Sequence, residues 1–130
     1  MKAVDTNVLL RFVLRDDERQ FEKAAAFFAT RTADDPAFVS LIVLAELSWA
    51  LRQRYGFDRS RTRALIEALL ETAELVFEDE ASLSQMIAQA DRGDIADHLI
   101  SYSAQRAGCS TTVTFDRDAV KTVTGMELLA

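Results

Sequence analysis

The sequence predicts an α/β fold: a single domain, residues 1–130, built on a doubly wound parallel sheet of about five strands with helices on both faces. Short β-rich runs alternate with longer stretches of helical period, the order of a parallel sheet with crossover helices. The 130 residues are 49% hydrophobic and 28% charged, the size and balance of one globular domain with one core. One Pro and four Gly leave no flexible linker or low-complexity tract to divide it, and there is no internal repeat.

Strand one covers residues 2–5 and stops at "VDTN", an acid, a hydroxyl and an amide. Asp, Thr and Asn all favour helix N-caps, so capping alone accounts for this stop as well as chemistry does. In "DDERQFEKAAAFFATR", Phe21, Ala24, Ala25 and Phe28 fall at helical spacing and predict a helix over about 17–31. "AFVS" is the second strand, and Ser40 caps the helix "LIVLAELSWALRQR", which Tyr55-Gly56 ends. Asp58 caps a third helix, from Arg59 to about Thr72. "ELVFE" is strand three, and Asp79 is placed to cap "EASLSQMIAQA". "DIADHLISYSAQRAG" is the next helix, with Gly108 as its stop, and "STTVTF" and "MELL" are the last two strands.

The net charge of −6 argues against a general basic coat for nucleic acid. The sign is uneven, however. Arg52 to Arg63, "RQRYGFDRSRTR", holds five Arg against one Asp, while Glu67 to Asp97 holds nine acids and one Arg, Arg92. The basic stretch suits either a local phosphate-binding patch or a solvated helix face. Cys109 is the single Cys, so no intrachain disulfide forms and a cytoplasmic location is expected. Its place beside a strand predicts a small core residue. The N-terminus lacks the basic start and cleavage site of a signal peptide, and no apolar run could cross a bilayer, so no membrane role is expected.

In doubly wound sheets, ligands bind beyond the C-terminal ends of the strands, where the strand order reverses. Asp5 ends strand one and Asp116 follows strand four. Two further acids stand between them. From Leu41 to Leu51 only Glu46 and Ser48 are polar, so Glu46 is expected in or beside the core, where a carboxylate needs an Arg or a metal. On the helix that starts near Asp94, Ala96, Leu99, Ile100, Ser103, Ala104 and Ala107 mark the expected buried face. At about 100° per residue Asp97 falls on the edge of that face, while Asp94 and His98 point away. Asp97 also suits a first-turn acid that answers the helix dipole. Asp118 is the alternative to Asp116, since both suit capping of a short helix after strand four.

Two unit negative charges about 5 Å apart repel by roughly 3 kcal/mol at an effective dielectric near 20. A pocket of three or four carboxylates therefore calls for cations. Oxygen ligands without His or Cys suit Mg²⁺ or Mn²⁺ rather than zinc, and an open site of that kind serves phosphate chemistry.

"VDTNVLLR", "SLIVLAELSWALR", "DIADHLISYSAQRAG" and "VTFDRDA" resemble, in order and spacing, the successive acidic motifs of PIN-domain ribonucleases. The likeness is greatest to the VapC toxins of bacterial toxin–antitoxin pairs, and it runs from about residue 2 to 130. It implies that Asp5, Glu46, Asp97 and Asp116 form an acidic quartet. Asp5 and Asp97 would hold Mg²⁺ (or Mn²⁺) most directly, and Glu46 and Asp116 would act through metal-bound water or a second ion. Thr6, Asn7 and Thr114 become polar supports. The implied reaction is in-line hydrolysis of an RNA phosphodiester by activated water, leaving a 3′-hydroxyl and a 5′-phosphate. Arg11, Arg15 and the Arg52–Arg63 stretch are candidate phosphate holders. The implied partners are the RNA substrate, a cognate VapB-type antitoxin, and a second copy in a homodimer within a larger toxin–antitoxin complex. His98 departs from the small residue more usual after the third acid.

Two rivals belong to other classes. An inactive PIN-like module would only bind a partner, but all four acids are present. A receiver-type signalling domain wants paired acids after strand one and a Lys on its last strand, and neither "DTN" nor "MELL" supplies them.

Overall fold

A computed structural model describes residues 1–129, and its strands and helices alternate in the expected order. Strands β1 (Lys2–Ala3), β2 (Ala37–Val39) and β3 (Leu75–Phe77) pair in parallel in the order β1-β2-β3, with Ala3 opposite Phe38 and Val39 opposite Phe77. Strands β4 (Thr112–Thr114) and β5 (Met126–Leu128) form a second parallel pair. The five parallel strands thus come as two ladders, and among the described residues no ladder joins β1 to β4.

Seven helices connect them: α1 (Thr6–Leu14), α2 (Glu18–Ala29), α3 (Leu41–Gln53), α4 (Arg59–Leu70), α5 (Glu80–Gln89), α6 (Ile95–Arg106) and α7 (Arg117–Thr122). Helix α1 is absent from the sequence reading. Its "VLLRFVL" is too continuously apolar to show a helical period. Asp5 starts it by accepting the Thr6 N–H at 2.8 Å, and Arg15, left-handed at φ 50°, ends it.

Ser40 and Asp58 cap α3 and α4 as expected, accepting N–H groups at 3.1 Å and 2.7 Å. Asp79 does not cap α5; its backbone is left-handed at φ 52° and its carboxylate pairs with Arg106. Leu44, Leu47 and Leu51 of α3 are fully buried with Val39, Ile66 and Leu83, so α3 is the spine of the core.

The buried side of α6 differs from the expected one. Ile95, Leu99 and Ser101 are buried, whereas Ile100 is 52% exposed, because the helix is anchored through its other edge to the β4–β5 unit. There Ser101 Oγ donates to the Thr124 carbonyl at 2.6 Å. Gly125, at φ +88°, lies so close below that a Cβ would come within 2.7 Å of Ser101 Oγ. Cys109 is exposed, not a core residue, since it sits in the turn after α6 and before β4. Among the described residues, no helix is long and apolar enough to cross a membrane.

Candidate metal centre

The four acids fall into two pairs. Asp5 caps α1 at the end of the first strand segment and is itself exposed. Glu46 lies midway along α3. It was expected in or beside the core but is exposed, because the row Ile42–Glu46–Trp49, spaced i, i+4, i+7, is the face that α3 turns to solvent. What fixes it is Thr6, only 3% exposed, whose hydroxyl donates to Glu46 Oε1. Asp5, Thr6, Asn7, Glu46, Trp49 and Arg54 line one cavity of about 300 Å³.

The second pair is Asp97 and Asp116. Asp97 sits in the first turn of α6, half-buried. Burial, then the like charges of Asp94 and Asp116, raise its carboxyl above the usual Asp range, and His98 and Arg59 act the other way. Asp116 caps α7 through Oδ1, which accepts from the Asp118 and Ala119 N–H groups at 2.9 Å and 3.1 Å. Thr114, the expected polar support, accepts the Asp116 N–H through Oγ1 at 3.1 Å. Asp118, the alternative acid, is paired with Arg59 at 2.9 Å.

Asp94 sits between the basic and acidic stretches. Arg52 reaches its Oδ1 at 2.7 Å and Arg59 at 3.2 Å. Burial alone would raise its carboxyl, but these two guanidiniums outweigh that and hold it below the usual range. Much of the Arg52–Arg63 stretch is thereby occupied within the protein. Arg63 bonds Glu67 and the Ala88 and Ala90 carbonyls, and Arg61 lies over the Phe57 ring. Arg11 and Arg15 are likewise engaged, with Asp16 and Glu18. His98 is half-buried, with Nε2 at 2.6 Å from the Arg92 carbonyl.

Helix α3, which carries Glu46, packs against both α1, which Asp5 caps, and α6, which carries Asp97. Among the described residues, no three His, Cys, Asp or Glu side chains converge as a closed metal cage requires. The donors are nonetheless all oxygens, and Asp97 is held where like charges oppose its ionisation. That chemistry fits a hard divalent ion that keeps several waters rather than one fully enclosed by protein.

Sequence reasoning missed Trp49 and Arg54 as members of the first cavity. Trp49 stands three residues after Glu46, so placing Glu46 on an outward face would have brought Trp49 with it.

Two acids at strand ends, Asp5 and Asp116, and two on helices, Glu46 and Asp97, on an α/β frame define the class: a candidate site for a divalent ion. A family model described as PIN domain matches residues 2–124, and the chain belongs to the PIN-domain family. PIN domains are generally metal-dependent nucleases. Among solved structures, the chain is similar to the "Crystal Structure of FitAcB from Neisseria gonorrhoeae", at 20% identity and a TM-score of 0.40, covering 100% of this chain and 97% of that one. No curated protein matches the chain.

Proposed function

We propose that the protein is an Mg²⁺- or Mn²⁺-dependent endoribonuclease, the toxin of a type II toxin–antitoxin pair, acting in the cytoplasm. One observation carries the reading: in a chain of the PIN family, Asp5 and Glu46 line one cavity, and Asp97 stands half-buried with its carboxyl raised, first by burial and then by the like charges of Asp94 and Asp116. Asp5 and Asp97 are the residues that would hold the ion, with Glu46 and Asp116 completing the site. The ion would supply Lewis-acid polarisation of the phosphate and a more acidic water. Thr6 donates to Glu46, and Thr114 and the start of α7 hold Asp116. The Arg52–Asp94–Arg59 network fixes the first turn of α6, and with it the position of Asp97.

The antitoxin would lay an apolar helix into the groove of about 570 Å³ between α1, α2 and α4, where Phe12, Phe21, Phe28, Leu65 and Leu69 form the floor. A basic side chain of that partner would enter the acidic site in place of the ion. A second copy of the chain would complete a homodimer.

RNA cleavage by the purified protein tests the enzyme. Cutting should require Mg²⁺ or Mn²⁺, stop with chelator, and leave 3′-hydroxyl and 5′-phosphate ends. Asp5→Asn, Glu46→Gln or Asp97→Asn should each remove most of the activity, by about 10²-fold or more, as loss of a group acting on the transition state does. Metal-independent cutting, or ends with a cyclic phosphate, would sink the mechanism. Metal-loaded protein that cuts no RNA yet binds a partner through the groove would favour the inactive module.

A further inference from the structure

An exposed tryptophan lines the same cavity as two of the acids. Trp49 is 54% exposed, on the row of α3 that also carries Glu46, and Ile42, 81% exposed, lies on the same row two turns before it. Arg54 lines that cavity too. Its neighbours Arg52, Arg59 and Arg63 are tied to carboxylates, whereas Arg54 has no carboxylate partner among the described residues and lies 5.7 Å from the Tyr55 ring. A flat aromatic face, a guanidinium without a carboxylate and an acid pair in one cavity of about 300 Å³ match the parts of a nucleotide. These are a base with two π-faces, an anionic phosphate, and a place for the ion that phosphate chemistry needs.

We propose that Trp49 is a specificity-determining residue that stacks one unpaired base of the substrate strand beside Asp5 and Glu46, while Arg54 takes an adjoining phosphate. This rests on the nuclease reading and deepens it: it assigns recognition of the unpaired base to Trp49 and of the adjoining phosphate to Arg54. Duplex RNA fails because its bases are stacked on one another and cannot reach the indole. Stacking tolerates any base, so Trp49 selects for strandedness rather than for sequence.

Trp49 is the only Trp in the chain, so its fluorescence reports on this position alone. The protein, in chelator and low salt to hold cleavage off, is titrated with a short single-stranded RNA. A strand of equal length and charge with abasic sites, and a duplex, are titrated in parallel. The single strand should quench Trp49, and the abasic strand and the duplex should not. Trp49→Ala should weaken single-strand binding by about 5- to 150-fold, the range expected for one base–aromatic stack, and Trp49→Phe should recover most of it. Equal quenching by the abasic strand, or unchanged affinity in Trp49→Ala, would overturn the proposal. So would an indole already shielded from acrylamide in an RNA-free dimer that Trp49→Ala converts to monomer, since the face would then be covered by a second copy. Metal-dependent cleavage with an unquenched Trp49 refutes the stacking alone. Quenching without cleavage in metal refutes the nuclease reading and leaves the binding face standing.

Discussion

Asp94 and Asp97 lie three residues apart on one helix start, yet the fold treats their charges in opposite ways. Asp97 has its carboxyl raised, so the folded protein disfavours its ionised form. That penalty is present above the raised value and vanishes as the pH falls below the ordinary Asp value of about 3.9. Asp97→Asn should therefore raise the melting temperature in chelator at neutral pH, and the difference should close near pH 3.5. Asp94 has its carboxyl lowered by Arg52 and Arg59, so its contribution is complete at neutral pH and is lost as the pH falls through the lowered value. Asp94→Asn should lower stability by about 1–3 kcal/mol at pH 7, the usual worth of hydrogen bonds to a charged group, and by much less in acid. Thermal melts of both variants at the two pH values check the signs. A lower melting point for Asp97→Asn at neutral pH would make Asp97 a simple dipole acid.

At the scale of elements, α3 shows both what the sequence could disclose and what it could not. Its start at Ser40 and its apolar bulk were legible, because capping and burial are local properties of residue type. Its orientation was not. With nine of the eleven residues from Leu41 to Leu51 apolar, no wheel separates an inner from an outer side, and only packing against α1 and α6 decides that Ile42, Glu46 and Trp49 face out. The same limit hid α1 and turned the buried side of α6, whereas Asp5 and Asp116 stand, as read, just after strands β1 and β4. Ser48 bears on the stability of α3. It is fully buried about 200° around the helix from Glu46, and its hydroxyl has no hydrogen-bond partner among the described residues. An unmet buried hydroxyl costs the fold, and Ala is the better helix former. Ser48→Ala should stabilise the protein by roughly 1–2 kcal/mol. In urea this reads as a higher midpoint with an unchanged slope; a lower midpoint would mean that the hydroxyl is satisfied after all.

For the whole molecule, the proposed function makes the Asp5–Glu46 and Asp97–Asp116 pairs parts of one centre. Mg²⁺ that binds only the folded protein should stabilise it by about 2.7 kcal/mol at 100 times its dissociation constant. Asn at position 5 or 97 removes one charge, and at position 5 it keeps the cap, since Asn and Asp cap helices equally well. If one ion is shared, Asp5→Asn and Asp97→Asn should each remove most of the Mg²⁺-induced gain, and the double variant should lose no more than either single one. Two independent ions would instead let each variant lose only its own share, and the double variant would lose the sum, as distant sites do. Melting each of the four proteins with Mg²⁺ and with chelator gives the cycle directly, without knowledge of the RNA. Strong non-additivity is the outcome that a single centre demands, because a charge removed from one pair then weakens the ion that the other pair needs.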